Sequence, residues 1–348
     1  MHKRVFVGLS GGVDSATSAA LLLEQGYDVT GVFIRIWKPE FLECTWREDR
    51  LDAMRVAAYL DIPFREIDLS DDYERTVVRP MIDGYSRGKT PNPDLLCNKT
   101  VKFGSFLRFA REAGADAVAT GHYARIQHVG SSFMLLRGTD PAKDQSYFLH
   151  QLNQEQLAHA IFPVGGMTKR DVRAEAVARG LPVAAKHDSQ GLCFVGDVAM
   201  SEFLQRYLRV EPGPVCDAAG AVIGAHDGAA LYTVGQRHGF RLDAAHPGMP
   251  YYVTRIDTAC NTVIVSPRLS DACRTTIPVD DPHWIGDAIA DGTRVAAMTR
   301  YRGALADATY RVISGETQLQ FDRPQLAPPG QSVVMYDGDL CLGGAPAR

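Results

Sequence analysis

This chain has no apolar run long enough to cross a membrane. Its opening, "MHKRVFVGLS", reaches a glycine after a few apolar residues, too short for a secretory leader. We therefore expect a cytoplasmic protein with no membrane partner. Nor is there a C-x-x-C pair among the seven cysteines, Cys44, Cys97, Cys193, Cys216, Cys260, Cys273 and Cys341. An odd set without that spacing favours neither a disulfide scaffold nor a zinc module, and no protein-held metal site is expected. Positive charge is not in excess either: 37 Lys and Arg stand against 41 Asp and Glu, a formal net charge of −4. Such a balance argues against non-specific coating of nucleic acid, while a local basic patch can still dock one RNA. Internal repeats and low-complexity segments are absent as well.

What is present is an ordinary globular composition, 45% hydrophobic and 22% charged over 348 residues, enough for two or three packed domains. "KRVFVGL" reads as a short buried strand. After it Ala16, Ala19, Ala20 and Leu23 recur at helical spacing until Gly26 supplies a stop. "YDVTGVFI" predicts a second strand, "DRLDAMRVAAYL" a second helix, "PFREIDL" a third strand and "ADAVATGHYAR" a later one. Strands alternating with helices predict an α/β fold with an open parallel sheet and a ligand site at the carboxyl ends of its strands. Past about Met200 the runs become short and β-branched, for example "PYYVTRIDTACNTVIVSP" and "QSVVMYDGDLCLGG", which suits a β-barrel or sandwich. We expect an α/β domain over 1–199, a small central domain over 200–265 and a C-terminal β-barrel over 266–348.

Where the first strand hands over to the first helix the chain reads "GLSGGVDS", Gly8 to Ser15. Backbone N–H groups at a helix N-terminus, beside glycines that let a ligand approach, form a natural phosphate cradle. A plain strand-to-helix connection uses the same residues, so the loop alone decides nothing. Compared with G-x-x-x-x-G-K-S/T, the lysine is replaced by Val13-Asp14-Ser15, which removes the cation that stabilises a transferring γ-phosphate. An acidic residue there suits Mg²⁺ on a pyrophosphate instead. The chemistry this suggests is cleavage between the α- and β-phosphates of ATP, the loop gripping pyrophosphate while another group takes AMP.

Two cysteines stand apart from the other five. Cys97, in "GKTPNPDLLCNKTVKFGSFLRFAREAG", precedes Phe103, Phe106, Leu107 and Ala110, which share one helical face. This predicts a helix N-terminus at Cys97, where the helix dipole together with Lys99 and Lys102 favours the thiolate. Cys193, in "AAKHDSQGLCFVGD", lies between Gly191 and Gly196, on backbone suited to a thiol that swings with cargo. A buried structural cysteine is the competing reading for each.

The sequence S-G-G-x-D-S after the first strand resembles the pyrophosphatase loop (PP-loop) of the N-type ATP pyrophosphatases. Enzymes of that group adenylate an oxygen and then displace it with a nucleophile. In chain order, "GLSGGVDS", "TPNPDLLCNKTVKFG", "ATGHYAR", "KDQSYFL", "KHDSQGLCFVGD", "YTVGQRHG", "TRYRG" and "PGQSVVMYDGDLCLGG" are similar to the motifs of the bacterial tRNA-specific 2-thiouridylase family. The resemblance runs from the first strand to the last few residues. It implies a Rossmann-like PP-loop domain, a small central tRNA-binding domain and a C-terminal β-barrel. It also implies ATP-dependent 2-thiolation of the wobble uridine of tRNA, giving 2-thiouridine, AMP and pyrophosphate.

Residue by residue, the resemblance implies that Gly8, Leu9, Ser10, Gly11, Gly12, Val13, Asp14 and Ser15 bind ATP with Mg²⁺, together with Ile34 and Gly121. Ile34 departs from the methionine frequent in the family. Asn92, Pro93 and Asp94 match the segment that meets the target base, with Asp94 counted among the catalytic residues. Cys97 matches the nucleophile and Cys193 the cysteine that carries sulfur as a persulfide. His122, Lys143, Asp144, Gln145, Arg300, Tyr301 and Gln331 match tRNA contacts; without the resemblance they read as solvated polar residues. Arg294, Arg300 and Arg302, with the locally basic segment from Arg87 to Arg111, extend the expected RNA surface. A cysteine desulfurase or sulfur-relay protein is the implied donor. The sequence leaves open whether the Cys193 persulfide attacks the base directly or Cys97 first releases it as sulfide. Two readings compete: an amidating ligase with the same loop, which needs no cysteine pair, and an RNA-binding protein with a vestigial loop, which consumes no ATP.

Overall fold

The computed structural model describes residues 3–41, 46–187, 198–243 and 249–348. Strand β1 (Arg4–Gly8) is apolar on both faces, and both are covered. Val5 and Val7 pack with α1 (Val13–Glu24) and α2 (Trp46–Tyr59) in one cluster, while Phe6 joins the cluster on the opposite side. Its parallel neighbours are β2 (Asp28–Arg35) and then β3 (Phe64–Asp68) on one side and β4 (Ala117–Ala119) on the other. The chain next leaves this sheet as a hairpin of β5 (Ala124–Val129) and β6 (Ser132–Arg137), then returns as β7 (Ala160–Ile161) beside β4. The expected open parallel sheet is therefore present, in the order β3-β2-β1-β4-β7, buried on two sides as such sheets must be.

Two further helices frame the carboxyl ends of these strands. The first, α3, is three consecutive helical stretches: Pro93–Leu96, a π-helical Cys97–Ser105, and Phe106–Glu112. The second, α4 (Lys169–Ala178), opens with a reciprocal cap in which Thr168 and Asp171 each hold the other's backbone N–H.

The central region forms its own five-stranded sheet from β8 (Gly213–Cys216), β9 (Val222–His226), β10 (Arg241–Leu242), β11 (Tyr252–Asp257) and β12 (Thr262–Ser266), ordered β10-β9-β8-β12-β11. The C-terminal region follows as β13 (Arg274–Val279), β14 (His283–Trp284), β15 (Arg294–Met298), β16 (Ala306–Ile313), β17 (Glu316–Gln325), β18 (Ser332–Asp337) and β19 (Leu340–Pro346). Its path β13-β17-β16-β15-β18-β19 closes on itself, because Val279 bridges to Ala347 and the Arg348 N–H donates to the Pro278 carbonyl. Alternate residues such as Val295, Ala297, Leu319, Phe321, Val333 and Met335 fill the interior, as a small barrel requires.

The hairpin β5–β6 adds a connection that the strand pattern did not suggest. Although it lies within the 1–199 segment, β6 pairs with β19 through Leu136 with Leu340 and Leu135 with Cys341, so it extends the C-terminal sheet. Arg125 reinforces the seam with a 2.7 Å bond to Asp339. Among the described residues no helix is long and apolar enough to cross a membrane.

Candidate active site

The loop after β1 is organised by its own hydroxyls. Ser15 Oγ donates to the Gly12 carbonyl (3.1 Å), accepts from the Ser10 N–H (3.2 Å) and sits 3.2 Å from Ser10 Oγ. No side chain caps α1; Gly12 stands at its N-cap with nothing bulkier than hydrogen. Gly11 adopts φ +75°, and a Cβ there would lie 2.3 Å from the Asp49 carbonyl of α2, so both its conformation and its neighbour demand glycine. At Gly8 a Cβ would meet Phe106 of α3 and Ile34 of β2 at 3.7 and 3.8 Å, which puts Ile34 beside the loop entrance. Leu9 continues the β1 hydrogen-bond ladder by donating to the Val32 carbonyl (2.8 Å).

Asp14, in the first turn of α1, is the loop's one carboxylate, and it is engaged from two directions. Tyr123 donates its hydroxyl to Oδ1 at 2.7 Å, and Lys169 Nζ reaches Oδ1 and Oδ2 at 2.7 and 2.9 Å. Neither partner was singled out from sequence. Gly121 packs against the same turn: a Cβ would fall 2.8 Å from the Asp14 backbone carbon and 2.9 Å from the Ser15 nitrogen.

The segment that carries Gly121 and Tyr123 also touches the cysteine helix. Between them, His122 is buried with Nδ1 2.7 Å from Thr120 Oγ1 and Nε2 3.4 Å from Lys102 of α3, its ring packed between Phe103 and Phe162. Burial, with Lys102 adding to it, pulls this imidazole well below its usual pKa, so it is neutral at physiological pH. The expectation of an RNA-facing histidine thus meets a side chain packed inside.

Cys97 also sits differently from the expectation. The helix begins at Pro93, and Asn92 is its cap, accepting from the Asp94 and Leu95 N–H groups at 3.0 and 3.4 Å. Cys97 is therefore a full turn inside α3, buried, where the terminal field has faded; the predicted helix N-terminus at Cys97 is corrected to Asn92. Proline at the first helical position and asparagine before it explain the shift. From Cys97 the helix widens to π geometry up to Ser105, a distortion that re-aims side chains and recurs at functional sites. Asp94 lies half-buried on the preceding turn. Burial pushes its carboxyl above the usual carboxylate range, and Lys102 offsets part of that rise.

Cys193 and Cys44 lie outside the described residues. The approach to the Cys193 segment is anchored, since Lys186 bridges Asp49 and Asp52 of α2 at 2.9 and 2.7 Å. Of the other cysteines, Cys216 and Cys341 are buried, and burial pushes the Cys341 thiol far up.

The residues expected to meet tRNA divide into two groups. Asp144 is buried and spent internally, accepting from Arg137 Nε (3.0 Å) and the Gly138 and Ser146 N–H groups (2.9 and 3.0 Å); it shapes its loop instead of offering a free carboxylate. Gln145 accepts from the Tyr123 N–H at 3.0 Å, and Gln331 donates to the Thr90 carbonyl at 2.6 Å. In contrast, Arg300 is exposed, and Tyr301 packs on Phe148 at 4.2 Å between ring centres. Lys143 lines, with Arg137 and Arg302, a cleft of about 600 Å³ between the 137–144 loop and the barrel turn at 298–305. Arg294 is paired at both nitrogens with Asp322 (2.8 and 2.7 Å), which cancels much of the charge expected of it.

Comparison with known proteins follows the same three-part division. The chain matches the family models described as tRNA methyl transferase HUP domain over residues 3–197, tRNA methyl transferase PRC-barrel domain over 201–267, and aminomethyltransferase beta-barrel domain over 274–346. It is 45% identical over 354 residues to the tRNA-specific 2-thiouridylase MnmA of Ralstonia pickettii, covering 98% of this chain and 95% of that one. The protein of the same name from Stenotrophomonas maltophilia is 45% identical over 355 residues, covering 98% and 92%. Among solved structures, the U34-tRNA thiolase NcsA from Methanococcus maripaludis overlaps 59% of this chain and 62% of its own at 18% identity and TM-score 0.36. A 4-thiouridine synthetase in complex with RNA and ATP overlaps 59% and 50% at 17% identity and the same TM-score.

Proposed function

Because the chain belongs to the tRNA-specific 2-thiouridylase family and is a tRNA-uridine 2-sulfurtransferase, we propose that it acts on the wobble uridine through an adenylate and a persulfide. The C2 carbonyl of uridine is a weak electrophile with a poor leaving group. ATP converts its oxygen to an adenylate, and Gly8–Ser15 with Ile34 and Gly121 holds the nucleotide while pyrophosphate departs. The base reaches the pocket only after leaving the anticodon stack. Asn92, Pro93 and Asp94 receive it there, while Lys143, Gln145, Arg300 and Tyr301 hold the RNA around it.

Sulfur arrives as a persulfide on Cys193, loaded by a cysteine desulfurase or a relay protein. Either its terminal sulfur attacks C2, AMP leaves, and Cys97 attacks the Cys193 sulfur to free 2-thiouridine; or Cys97 attacks first, and the released sulfide displaces AMP. Both routes end with a Cys97–Cys193 disulfide, which a two-electron thiol reductant reopens, consistent with a cytoplasmic setting. Asp94, whose carboxyl burial raises above the usual carboxylate range, is suited to exchange a proton with the base or its leaving oxygen. For Mg²⁺, the loop offers the single carboxylate of Asp14. That donor set fits an ion held largely by the phosphates of ATP, the usual manner for Mg²⁺, and the ion would neutralise charge on the departing pyrophosphate.

One observation carries this reading. Residues 120–123 touch the glycine loop through Gly121 and Tyr123 and, through His122 and Lys102, the helix that carries Cys97, which supports reading that loop and that helix as parts of one site. The test is nucleoside mass spectrometry of unmodified tRNA incubated with the protein, Mg-ATP and a sulfide source, with Cys193→Ser run alongside on a persulfide donor. ATP-dependent 2-thiouridine, lost in the variant under donor conditions, is expected. No thiolated base despite tRNA binding would overturn the reading in favour of an RNA-binding protein, and activity surviving loss of both cysteines would favour an amidating ligase.

A further inference from the structure

The helix that carries Cys97 is gripped from the side by the helix over residues 70–86. That helix also passes through π geometry, at Glu74–Val78 between the stretches Ser70–Tyr73 and Arg79–Ser86, and the two π segments pack together. A threonine stands in each. Thr100 Oγ1 lies 2.7 Å from the Leu96 carbonyl, Thr76 Oγ1 lies 2.7 Å from the Asp72 carbonyl, and the two hydroxyls are 2.8 Å apart. Each hydroxyl has a single hydrogen, so at most two of these three bonds are made at once. In one arrangement Thr76 donates to Thr100 and Thr100 donates to Leu96, each bond polarising the next. The Leu96 carbonyl belongs to the peptide group that leads into Cys97, and the N–H of that group donates to the Pro93 and Asp94 carbonyls. The peptide that aims the Cys97 side chain is thus held at its N–H by its own helix and at its carbonyl by the threonine pair. A second clamp closes the far end of the π segment, where Ser105 Oγ donates to the Asp72 carboxylate, which Arg75 and Arg108 also reach.

Resting on the reading of Cys97 as the reacting thiol, we propose that Thr76 is a positioning residue for it, acting through Thr100 on the Leu96–Cys97 peptide. A π turn closes its hydrogen bonds one residue further along than an α turn, so a helix sheds the distortion by slipping one residue, and the side chains on the slipped stretch then face a new direction. The hydroxyl of Thr100, bonded back to Leu96, pins the boundary where α geometry gives way to π. Thr76 supplies from outside that helix the donor that orients this hydroxyl. No covalent bond and no transferred proton pass through Thr76; its effect is on where the thiol points.

The test follows ATP-dependent thiolation of unmodified tRNA by the full chain. Thr76→Val keeps the shape of the side chain without its hydroxyl, and Thr76→Ser keeps the hydroxyl. Thr76→Val is expected to lower kcat about five- to tenfold while KM for ATP and for tRNA stays within about twofold, with Thr76→Ser recovering most of the loss. Thr76→Ala, which cannot overfill the seam, gives the same comparison where valine does not pack. Added to Thr100→Val, the Thr76 change should cost nothing further, because it acts through Thr100. Site-resolved alkylation gives a readout apart from turnover: Cys97 should react about threefold faster in Thr76→Val, while buried Cys216 and exposed Cys260 keep their wild-type rates. Either kcat or Cys97 alkylation left unchanged overturns the proposal, as does a Thr76 effect that adds in full to that of Thr100. Faster alkylation of Cys216 marks a loosened fold and overturns it too. Thiolation that persists in Cys97→Ser overturns instead the reading of Cys97 as the reacting thiol.

Discussion

Gln331 of the barrel donates its side-chain amide to the Thr90 carbonyl at 2.6 Å, while the Thr90 N–H donates to the Pro329 carbonyl at 2.7 Å. Thr90 Oγ1 also lies 3.0 Å from Thr233 Oγ1 of the central region. One residue of the α/β part thus fastens the other two parts to the turn just before the Asn92 cap. Truncating Gln331 to Ala removes one hydrogen bond worth about 1 kcal/mol and loosens that turn. We expect tRNA binding to weaken roughly five- to tenfold with ATP affinity within about twofold, read by filter binding and calorimetry. Equal loss of both ligands would instead mean general unfolding.

Gly121 and Gly12 make opposite demands. A Cβ at Gly121 meets backbone atoms of Asp14 and Ser15 at 2.8 and 2.9 Å, whereas at Gly12 the nearest atom is Ser10 Oγ at 3.3 Å. Backbone in the first turn of a buried helix cannot yield, and a serine side chain can rotate. Gly121→Ala is expected to cost about 2 kcal/mol or more and to abolish measurable ATP binding. Gly12→Ala should cost about 1 kcal/mol, in line with alanine at an N-cap. Urea melts of both variants, with ATP titrations, check the contrast.

The parallel sheet, the glycine loop and the barrel strands were legible because each rests on local pattern: buried runs, helical spacing, and turns marked by Gly and Pro. The helix starts a turn before the N-terminus expected at Cys97 because the apolar face of α3 begins after the helix does, and the start is marked instead by Asn92 followed by Pro93. Lys169 and Tyr123 were not legible at all. They lie 155 and 109 residues from Asp14, and only the crossover of strands brings them to it. The same holds for the β5–β6 hairpin, whose partner strand lies near the other end of the chain. Asp144 was readable as polar but not as buried, because its donors come from Arg137, Gly138 and Ser146 folding around it.

Asp94 makes a prediction about pH. Burial raises its folded pKa above the unfolded value of 3.8, so the folded chain holds the proton more tightly than the unfolded one. The benefit is full below 3.8 and is lost as pH rises through the folded pKa, leaving a buried carboxylate at neutral pH. Asp94→Asn is therefore expected to melt higher than wild type at pH 8 and to converge with it near pH 3.5, while thiolation falls at every pH. A variant less stable than wild type at pH 8 would contradict the buried-charge account. Melting curves in a pH series decide between them.

His150 has the opposite sign. It is fully buried; Nδ1 lies 2.8 Å from the Tyr147 carbonyl and so carries the proton, and Nε2 has no hydrogen-bond partner among the described residues. Burial lowers its pKa from 6.5 to about 4, with His283 and Lys99 adding to the fall and the Tyr147 bond opposing it. The folded chain thus holds the neutral ring, a contribution complete above pH 6.5 and lost as pH falls toward 4. The shift corresponds to about 3 kcal/mol across that window. His150→Gln keeps a donor for the Tyr147 carbonyl but cannot take up a proton. Its stability should decline less than that of wild type between pH 7 and pH 4, by an amount of about that size, in urea melts at each pH. Parallel declines in the two proteins would show that His150 is not what makes the fold acid-sensitive.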